Sequence, residues 1–148
     1  MSYRIISKLV DFLPPEFLHF LFLNSLKLRF FKKKKRFDNL QTNVCGMSLE
    51  NPVGLAAGFD KNAEAISGIF DLGFGFVELG TVTQMPQKGN AKPRVFKIPE
   101  FEAVIRRLGF NNLGIENFVR NLKKFKKKKI ILLELTLEKI RILPIPLR

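Results

Sequence analysis

Small residues and one lysine stand where a predicted buried strand gives way to a loop. Ala56, Ala57 and Gly58 end an apolar run, and Lys61 follows them in the same loop. Small side chains leave the backbone uncovered, so a flat ring is able to lie directly against it. The lysine adds a fixed positive charge, which suits an electron-rich ring edge or a substrate carboxylate. This segment therefore predicts contact with a planar, electron-rich or anionic ligand.

A second group of small and polar residues follows the next predicted strand. Gly80 and Thr81 stand at its end, and Arg107, Asn111 and Asn112 offer donors further on. In a barrel of alternating strands and helices, the carboxyl ends of the strands form the active-site face. A glycine after a strand is usually a turn, and a loop lysine is usually solvated. The joint occurrence of these residues at successive strand ends favours one shared pocket.

Alternating elements position these residues. Residues 53–57 are predicted as a buried strand, residues 63–72 as a helix capped by Asn62, and residues 76–79 as a second buried strand. Strand, helix and strand in this order predict a parallel sheet and an α/β fold. Further predictions are helices at residues 3–12, 17–31 and 115–125, a hairpin of residues 42–44 and 47–49, and short strands at 95–97 and 103–105.

The charge of the chain is also consistent with a different function. The formal net charge is +13, and the excess is concentrated in the runs 32–36 and 123–129. Such a balance is typical of proteins that bind nucleic acid or anionic lipid. The abundance of Phe, Lys, Ile and Asn also reflects A/T-rich codons. We attribute the larger part of the excess positive charge to this codon bias rather than to a binding partner. The single Cys45 excludes an internal disulfide and a cysteine-based metal site, and we expect it to be a buried or half-buried residue.

The N-terminal segment is apolar and ends in a basic run. Its predicted helices, 3–12 and 17–31, suit either the interface plane of an anionic membrane or packing on the next domain. Both alternatives stay open at this point. No stretch reaches the roughly 20 apolar residues that span a bilayer, and no cleavable signal pattern is evident.

Three long motifs carry a resemblance to a known family. They are NPVGLAAGFDKN (51–62), GFGFVELGTVTQMPQKGNAKPRVFK (73–97) and RRLGFNNLGIENF (106–118). Together they resemble the quinone-dependent, membrane-associated class 2 of dihydroorotate dehydrogenase. The resemblance covers residues 1–126 and includes Pro15, Glu16 and His19, which match the family's Pro-Glu-x-x-His pattern.

The resemblance implies a fold and an activity. It implies a (β/α)8 TIM barrel over residues 38–129 and onward, preceded by a two-helix membrane-associating region at 1–37. It also implies flavin mononucleotide (FMN) as cofactor and oxidation of dihydroorotate to orotate in pyrimidine biosynthesis. Electrons would pass to a quinone that enters between the two N-terminal helices. The expected location is peripheral, on the cytoplasmic face of the inner membrane, with no nucleic-acid partner.

The resemblance also assigns roles to residues, and none of them binds a metal. The implied flavin contacts are Ala57, Gly58, Phe59, Asp60, Lys61 and Thr81. The implied substrate contacts are Lys61, Arg107, Leu108, Gly109, Phe110 and Asn111. The chain departs from the family at Arg106, where Asn is usual, which removes an amide from the expected orotate pocket. The catalytic Ser base of the class is expected beyond Arg148, and Cys45 is not the catalytic cysteine of the soluble classes.

After Lys126 the resemblance predicts a third strand that reads IGINIGKN. The chain instead has LLELTLEKI at residues 132–140. Back-translation of this segment with A/T-rich codons gives, as one choice, TTA TTG GAA TTA ACA TTG GAA AAA ATA, which reads IGINIGKN from the last base of the first codon. We therefore interpret residues 130–148 as an off-frame tail without function, after a slip in the lysine codons at 126–129. This interpretation predicts two barrel strands of eight and an inactive, poorly folded chain, unless slippage restores the full-length enzyme.

Two rival functions remain beside the enzyme. One is a basic module that binds nucleic acid or anionic lipid through the lysine-rich runs. It predicts aromatic residues interleaved with the basic ones or a groove-reading helix, and neither pattern is convincing in this sequence. The other is a non-catalytic remnant of the enzyme, which has the same motifs as the enzyme itself.

Overall fold

A three-stranded parallel sheet lies at the centre of the fold. The computed structural model describes residues 13–30, 38–125 and, for the backbone, 130–135. Besides short 3-10 turns at Asp38–Leu40 and Pro99–Phe101, its elements are α1 (Pro15–Lys27), β1 (Thr42–Val44), β2 (Met47–Leu49), β3 (Gly54–Leu55), α2 (Ile66–Asp71), β4 (Phe76–Val82), β5 (Val95–Ile98), β6 (Ala103–Arg106), α3 (Gly114–Leu122) and β7 (Ile130–Leu135).

The central sheet has the order β3-β4-β7, and both pairings are parallel. In register, Gly54 pairs with Phe76, and Phe76 pairs on its other side with Ile130. Because α2 connects β3 to β4, this part of the chain is a βα unit, and the prediction of an α/β fold is confirmed. The expectation of only two parallel strands is wrong, because the apolar, strand-favouring run Ile130–Leu135 forms a third along β4.

That third strand lies in the segment that we interpreted as an off-frame tail. The interpretation of residues 130–148 concerns the reading frame of the gene, so a strand at Ile130–Leu135 neither confirms nor contradicts it. The boundary at residue 129 stays a prediction. The predicted helix at 3–12 and the basic run at 32–36 lie outside the described residues.

Two antiparallel strand pairs lie outside the central sheet, where the sequence predicts one hairpin and two short strands. β1 pairs with β2 around Cys45 and Gly46, and β5 pairs with β6. Cys45 is exposed in the turn, with a φ of 49°. The expectation that Cys45 is buried or half-buried is therefore wrong, because the residue occupies the tip of a two-residue hairpin turn rather than a strand.

α1 packs on α2 through a glycine. A Cβ at Gly68 would stand 2.1 Å from the carbonyl oxygen of Leu26, so only glycine permits this approach. Leu26 is 1% exposed and belongs to one apolar core with residues of α2, β4 and α3. Two ion pairs fasten the same end of the helix, Lys27 to Glu64 at 3.1 Å and Arg29 to Asp71 at 2.6 Å.

The opposite side of α1 is apolar and exposed. The helix α1 begins at Pro15, which suits the first helical position. It ends at Lys27, four residues before the predicted end. Its exposed apolar residues on that side are Phe17, Phe20 and Leu21. Within the described parts of the chain, no helix has the length and hydropathy that a membrane crossing requires.

Candidate functional site

Two adjoining cavities lie at the carboxyl ends of β3 and β4. The larger, of about 470 Å³, lies between α1 and the loops that follow the strands. The smaller, of about 380 Å³, lies on the side of Thr81 and Phe110. The lining residues that the two cavities share are Ala57, Gly58, Lys61, Arg106 and Leu108. The two predicted strand ends thus meet at one site, as the sequence predicts.

The loop after β3 forms an open floor between the cavities. The backbone N–H of Gly58 donates to the carbonyl oxygen of Gly80 over 2.7 Å, and that of Ala57 donates to Oε2 of Glu78 over 3.2 Å. Gly58 has a φ of 95°, a region that favours glycine. Among the described atoms, a Cβ on Gly58 would meet only Nη2 of Arg106, at 3.5 Å. The backbone here is therefore fixed by β4 and remains open to a flat ligand.

Lys61 brings the two predicted loops together. Its Nζ donates to Oδ1 of Asn111 over 2.9 Å, and both side chains line the larger cavity. The two residues are half-buried. The ammonium group of Lys61 is thus held at the boundary of both cavities by a residue fifty positions away in sequence.

Asp60 points away from the cavities and binds the backbone segment that leads into α2. It is 1% exposed, and its carboxylate accepts hydrogen bonds from the backbone N–H groups of Glu64 and Ala65 over 2.9 and 2.7 Å. Burial raises the pKa of Asp60 above its ordinary value of 3.8, and these hydrogen bonds oppose the rise. The side chain lines neither cavity, so the structure does not bring it to the predicted flavin site.

The predicted cap at Asn62 is wrong, and so is the helix start at residue 63. Ala63 has a φ of 56°, which is outside the helical region, and the helix begins only at Ile66. Asn62 Oδ1 instead accepts a hydrogen bond from the backbone N–H of Leu113 over 2.9 Å. Asn62 therefore ties the loop after β3 to the segment before α3.

Phe59 joins the site to α1. Its carbonyl oxygen lies 2.7 Å from Nε2 of His19, and the two rings meet edge to face at 5.0 Å. Phe22 makes a second edge-to-face contact with the same ring at 5.9 Å. Because His19 and Phe59 line the larger cavity together with Leu23, this cavity has one wall from α1 and one from the strand-end loop.

Arg106 and Arg107 point in different directions. Arg106 lines both cavities, whereas Arg107 lines neither. The guanidinium group of Arg107 lies 5.5 Å over the ring of Phe96 and donates to the carbonyl oxygen of Pro93 over 3.1 Å. The side chain that the sequence assigned to the substrate is therefore turned outward, and its neighbour faces the site. Leu108, Gly109 and Phe110 line the smaller cavity as expected.

Asn112 is a structural residue, although the sequence grouped it with Asn111 as a donor to ligand. It is 6% exposed. Its Oδ1 accepts from the backbone N–H groups of Gly114 and Thr83 over 2.8 and 3.3 Å. Its Nδ2 donates to the carbonyl oxygen of Phe110 over 2.6 Å and to Oγ1 of Thr83 over 2.9 Å. These bonds tie the end of β4 to the start of α3 and use the polar groups of the amide.

Sequence reasoning missed an ion pair between two residues that line the larger cavity. Arg94 is 8% exposed, and its Nε donates to Oε2 of Glu16 over 3.1 Å. Its Nη1 donates to the carbonyl oxygen of Lys88 over 3.0 Å. Glu16 belongs to the Pro-Glu-x-x-His pattern, which pointed to one partner of the pair but not to the other.

The site is strongly positive. The larger cavity is lined by four cations, Lys61, Lys92, Arg94 and Arg106, and by one carboxylate, that of Glu16. The described residues contain no cluster of three or more His, Cys, Asp or Glu side chains that could hold a metal ion. The charges of the site therefore suit an anionic organic ligand.

Comparison with known proteins places this site in a family. The sequence model of dihydroorotate dehydrogenase matches residues 39–143. The chain is 46% identical over 136 residues to the dihydroorotate dehydrogenase (quinone) of Buchnera aphidicola subsp. Schizaphis graminum, covering 88% of this chain and 40% of the relative. It is 56% identical over 93 residues to that of Pseudomonas fluorescens, covering 63% of this chain and 27% of the relative.

Solved structures agree with the sequence matches. The crystal structure of the Eimeria tenella enzyme in complex with ferulenol superposes with a TM-score of 0.72 at 36% identity, covering 82% of this chain and 35% of the other. The ligand-free form gives a TM-score of 0.75 at 35% identity, with 82% and 36% covered. This chain thus spans about two fifths of the length of the Buchnera relative. By its motifs, its fold and these matches, the chain belongs to the dihydroorotate dehydrogenase family.

Proposed function

We propose that this chain supplies the first walls of a site that binds FMN and oxidises dihydroorotate to orotate, with a quinone as electron acceptor. The observation that carries this proposal is the hydrogen bond between Lys61 and Asn111, 2.9 Å long, beside the open backbone of Gly58. It holds one cation and one amide at the edge of a floor that admits a flat ring. Orotate and flavin are both planar and have electron-rich oxygen atoms along a ring edge, and both suit this arrangement.

The residues present fit a flavin. Ala57 and Gly58 offer uncovered backbone, Lys61 offers a positive charge, and Thr81 offers a hydroxyl at the end of β4 in the smaller cavity. Phe59 supports the floor from the side of α1 through its contact with His19. FMN, when bound, supplies the redox chemistry that takes electrons from dihydroorotate and passes them to the quinone. The part of this chain is to hold and orient the two rings.

The substrate belongs on the side of the smaller cavity. There Leu108, Gly109 and Phe110 form the wall, and Lys61 and Asn111 stand at its boundary with the larger cavity. Arg107 contributes through its backbone N–H, which donates to the carbonyl oxygen of Arg94 over 2.8 Å and thereby fixes the start of this loop.

The quinone belongs on the side of α1. The larger cavity has an apolar wall there, with Pro15, Leu23 and Leu55, and His19 stands beside them. The opposite side of α1 exposes phenylalanines, which suits contact with a lipid surface. We therefore propose that the N-terminal region, 1–37, associates peripherally with the cytoplasmic face of the inner membrane. Binding to liposomes of anionic lipid, lost when Phe17 and Phe20 are replaced by Ser, tests this part.

Titration of the purified chain with FMN tests the cofactor site. Flavin fluorescence should change on binding, and Lys61→Gln should weaken the affinity about tenfold, because a hydrogen bond to a charged group contributes roughly 1.5–3 kcal/mol. Lys88→Gln is the matched control, since Lys88 is exposed and lines neither cavity. No fluorescence change with the wild-type chain, together with salt-dependent binding of RNA, would favour the basic binding module instead.

A further inference from the structure

The backbone on either side of Lys61 is held by side-chain hydrogen bonds. On the N-terminal side, the buried carboxylate of Asp60 accepts hydrogen bonds from the backbone N–H groups of Glu64 and Ala65. On the C-terminal side, Asn62 bonds to α3 and to the segment that precedes it. Lys61 is therefore the middle residue of a turn whose two ends are fixed.

Asn62 makes two contacts with the chain around α3. Its Oδ1 accepts from the backbone N–H of Leu113 over 2.9 Å, and its carbonyl oxygen accepts from Nδ2 of Asn121 over 3.0 Å. Leu113 stands two residues after Asn111, whose Oδ1 accepts from Nζ of Lys61. The same two segments are thus joined twice, once through the ammonium group and once through the backbone beside it.

The residue after Asn62 shows that this arrangement is imposed on the chain. Ala63 is 3% exposed and has a φ of 56°, in the left-handed region that residues other than glycine rarely adopt. Such a conformation persists only where surrounding contacts determine the backbone, and it is concentrated at functional sites. Here those contacts are the hydrogen bonds of Asp60 and Asn62. The turn is therefore held in one strained form.

We propose that Asn62 and Asn121 are positioning residues that hold Lys61 at the boundary of the two cavities. This inference rests on the proposed function and adds a residue of α3 to the site. Asn62 also lines the larger cavity, whereas Asn121 lines neither cavity and acts through the carbonyl oxygen of Asn62. A lysine side chain loses much conformational freedom when a ligand orders it, so a fixed backbone beneath Lys61 lowers the cost of binding.

The reactivity of the Lys61 amine tests this role without any ligand. Brief acetylation of the 148-residue chain with acetic anhydride, followed by mass spectrometry of its peptides, gives the labelling rate of each lysine. Asn121→Asp has nearly the same size and removes the Nδ2 donor, so we expect Lys61 to be labelled about fivefold faster than in the wild-type chain. Asn62→Ala should do the same. Asn62→Asp should restore the slow rate, because a carboxylate accepts from the backbone N–H of Leu113.

The matched control is Asn117→Ala, which removes the other acceptor of the same Nδ2 group, 3.0 Å away, and leaves the bond to Asn62 in place. The half-buried Lys97 reports on general loosening, since a chain that is merely destabilised would label this lysine faster as well. Unchanged labelling of Lys61 in both Asn121→Asp and Asn62→Ala overturns the proposal. An equal rise at Lys61 and Lys97 overturns it too.

Titration with FMN then connects this role to the proposed function. Asn121→Asp should bind FMN about fivefold more weakly than the wild-type chain, although it touches no ligand. Equal affinity for FMN together with faster labelling of Lys61 contradicts the proposal, because the position of Lys61 would then not matter to the ligand. If the wild-type chain gives no flavin signal, the proposed function fails, and the labelling rates alone decide whether Asn121 positions Lys61.

Discussion

Two neighbouring asparagines should separate stability from ligand binding. Asn112→Ala removes the amide that satisfies the backbone N–H groups of Gly114 and Thr83 inside the protein. A buried donor left without a partner costs about 1–3 kcal/mol, so two of them cost about 2–6 kcal/mol. Because a domain is typically stable by about 5–15 kcal/mol, this loss is a large fraction of the total.

Asn111→Ala removes one hydrogen bond, that from Lys61, at a half-buried position. Water is able to replace this partner, so we expect a loss of stability of about 1 kcal/mol or less. The affinity for orotate should fall instead, because Lys61 loses its hydrogen bond to Asn111 at the boundary of the cavities. Asn111 and Asn112 have the same side chain and adjacent positions, so each variant is the control for the other.

Urea unfolding followed by far-UV circular dichroism measures the first effect, and orotate titration measures the second. The reasoning fails if Asn112→Ala unfolds within about 0.5 kcal/mol of the wild-type chain, the range of an ordinary surface substitution. It also fails if Asn111→Ala is the more destabilising of the two variants. Either result would mean that the buried hydrogen bonds of Asn112 do not hold the end of β4 to α3.

Four further outcomes are expected. Because the pKa of Asp60 is raised, its carboxyl group binds a proton more tightly in the folded state than in the unfolded state. The stability of the wild-type chain relative to Asp60→Asn should therefore rise as the pH falls through that pKa toward 3.8. Urea unfolding between about pH 7 and 4 checks the sign. Arg107→Ala should change the affinity for orotate by no more than about twofold and destabilise the chain by about 1 kcal/mol or less, because the contacts of Arg107 with Phe96 and Pro93 are exposed. A larger loss of affinity would restore the substrate role that the sequence assigned. Arg94→Gln should lower the free energy of unfolding in urea by about 2 kcal/mol, since it leaves the partly buried Glu16 without its main partner. Lys92→Gln removes the exposed cation that pairs with the same carboxylate and should be nearly neutral. Transcripts sequenced across the lysine codons at 126–129 should contain length variants if slippage restores the reading frame, and uniform transcripts would exclude that rescue.

The sequence was sufficient where a local pattern has one structural solution. The alternation of apolar runs and glycines around residues 53–79 predicted the parallel βα unit, and Cys45-Gly46 between two short strands predicted the first hairpin. Such patterns depend on near neighbours in the chain, which a single sequence contains. The meeting of Lys61 with Thr81 at one cavity was predicted for a related reason, since both lie at the carboxyl ends of neighbouring parallel strands.

The sequence was insufficient where partners are distant or two residues compete for one role. Asn62 is a residue type that favours helix N-termini, but the left-handed backbone of Ala63 delays the helix to Ile66, and the side chain of Asp60 binds the N–H of Ala65 before it. Arg106 and Arg107 are identical in type, and the register of β6 against β5 decides which one faces the site. Arg94 and Glu16 are 78 positions apart, and nothing in a linear pattern links them.

The order of the central sheet has a consequence for how the chain acquires its structure. In β3-β4-β7, the strands lie side by side in sequence order, so each later strand pairs with one that was made before it. The connection from β3 to β4 is short, and closing a short loop costs less conformational entropy than joining distant segments. During synthesis, the edge of β4 is complete before Ile130–Leu135 leaves the ribosome. The sheet is therefore suited to assembly from the N-terminus, one strand at a time, in the direction in which the chain is made.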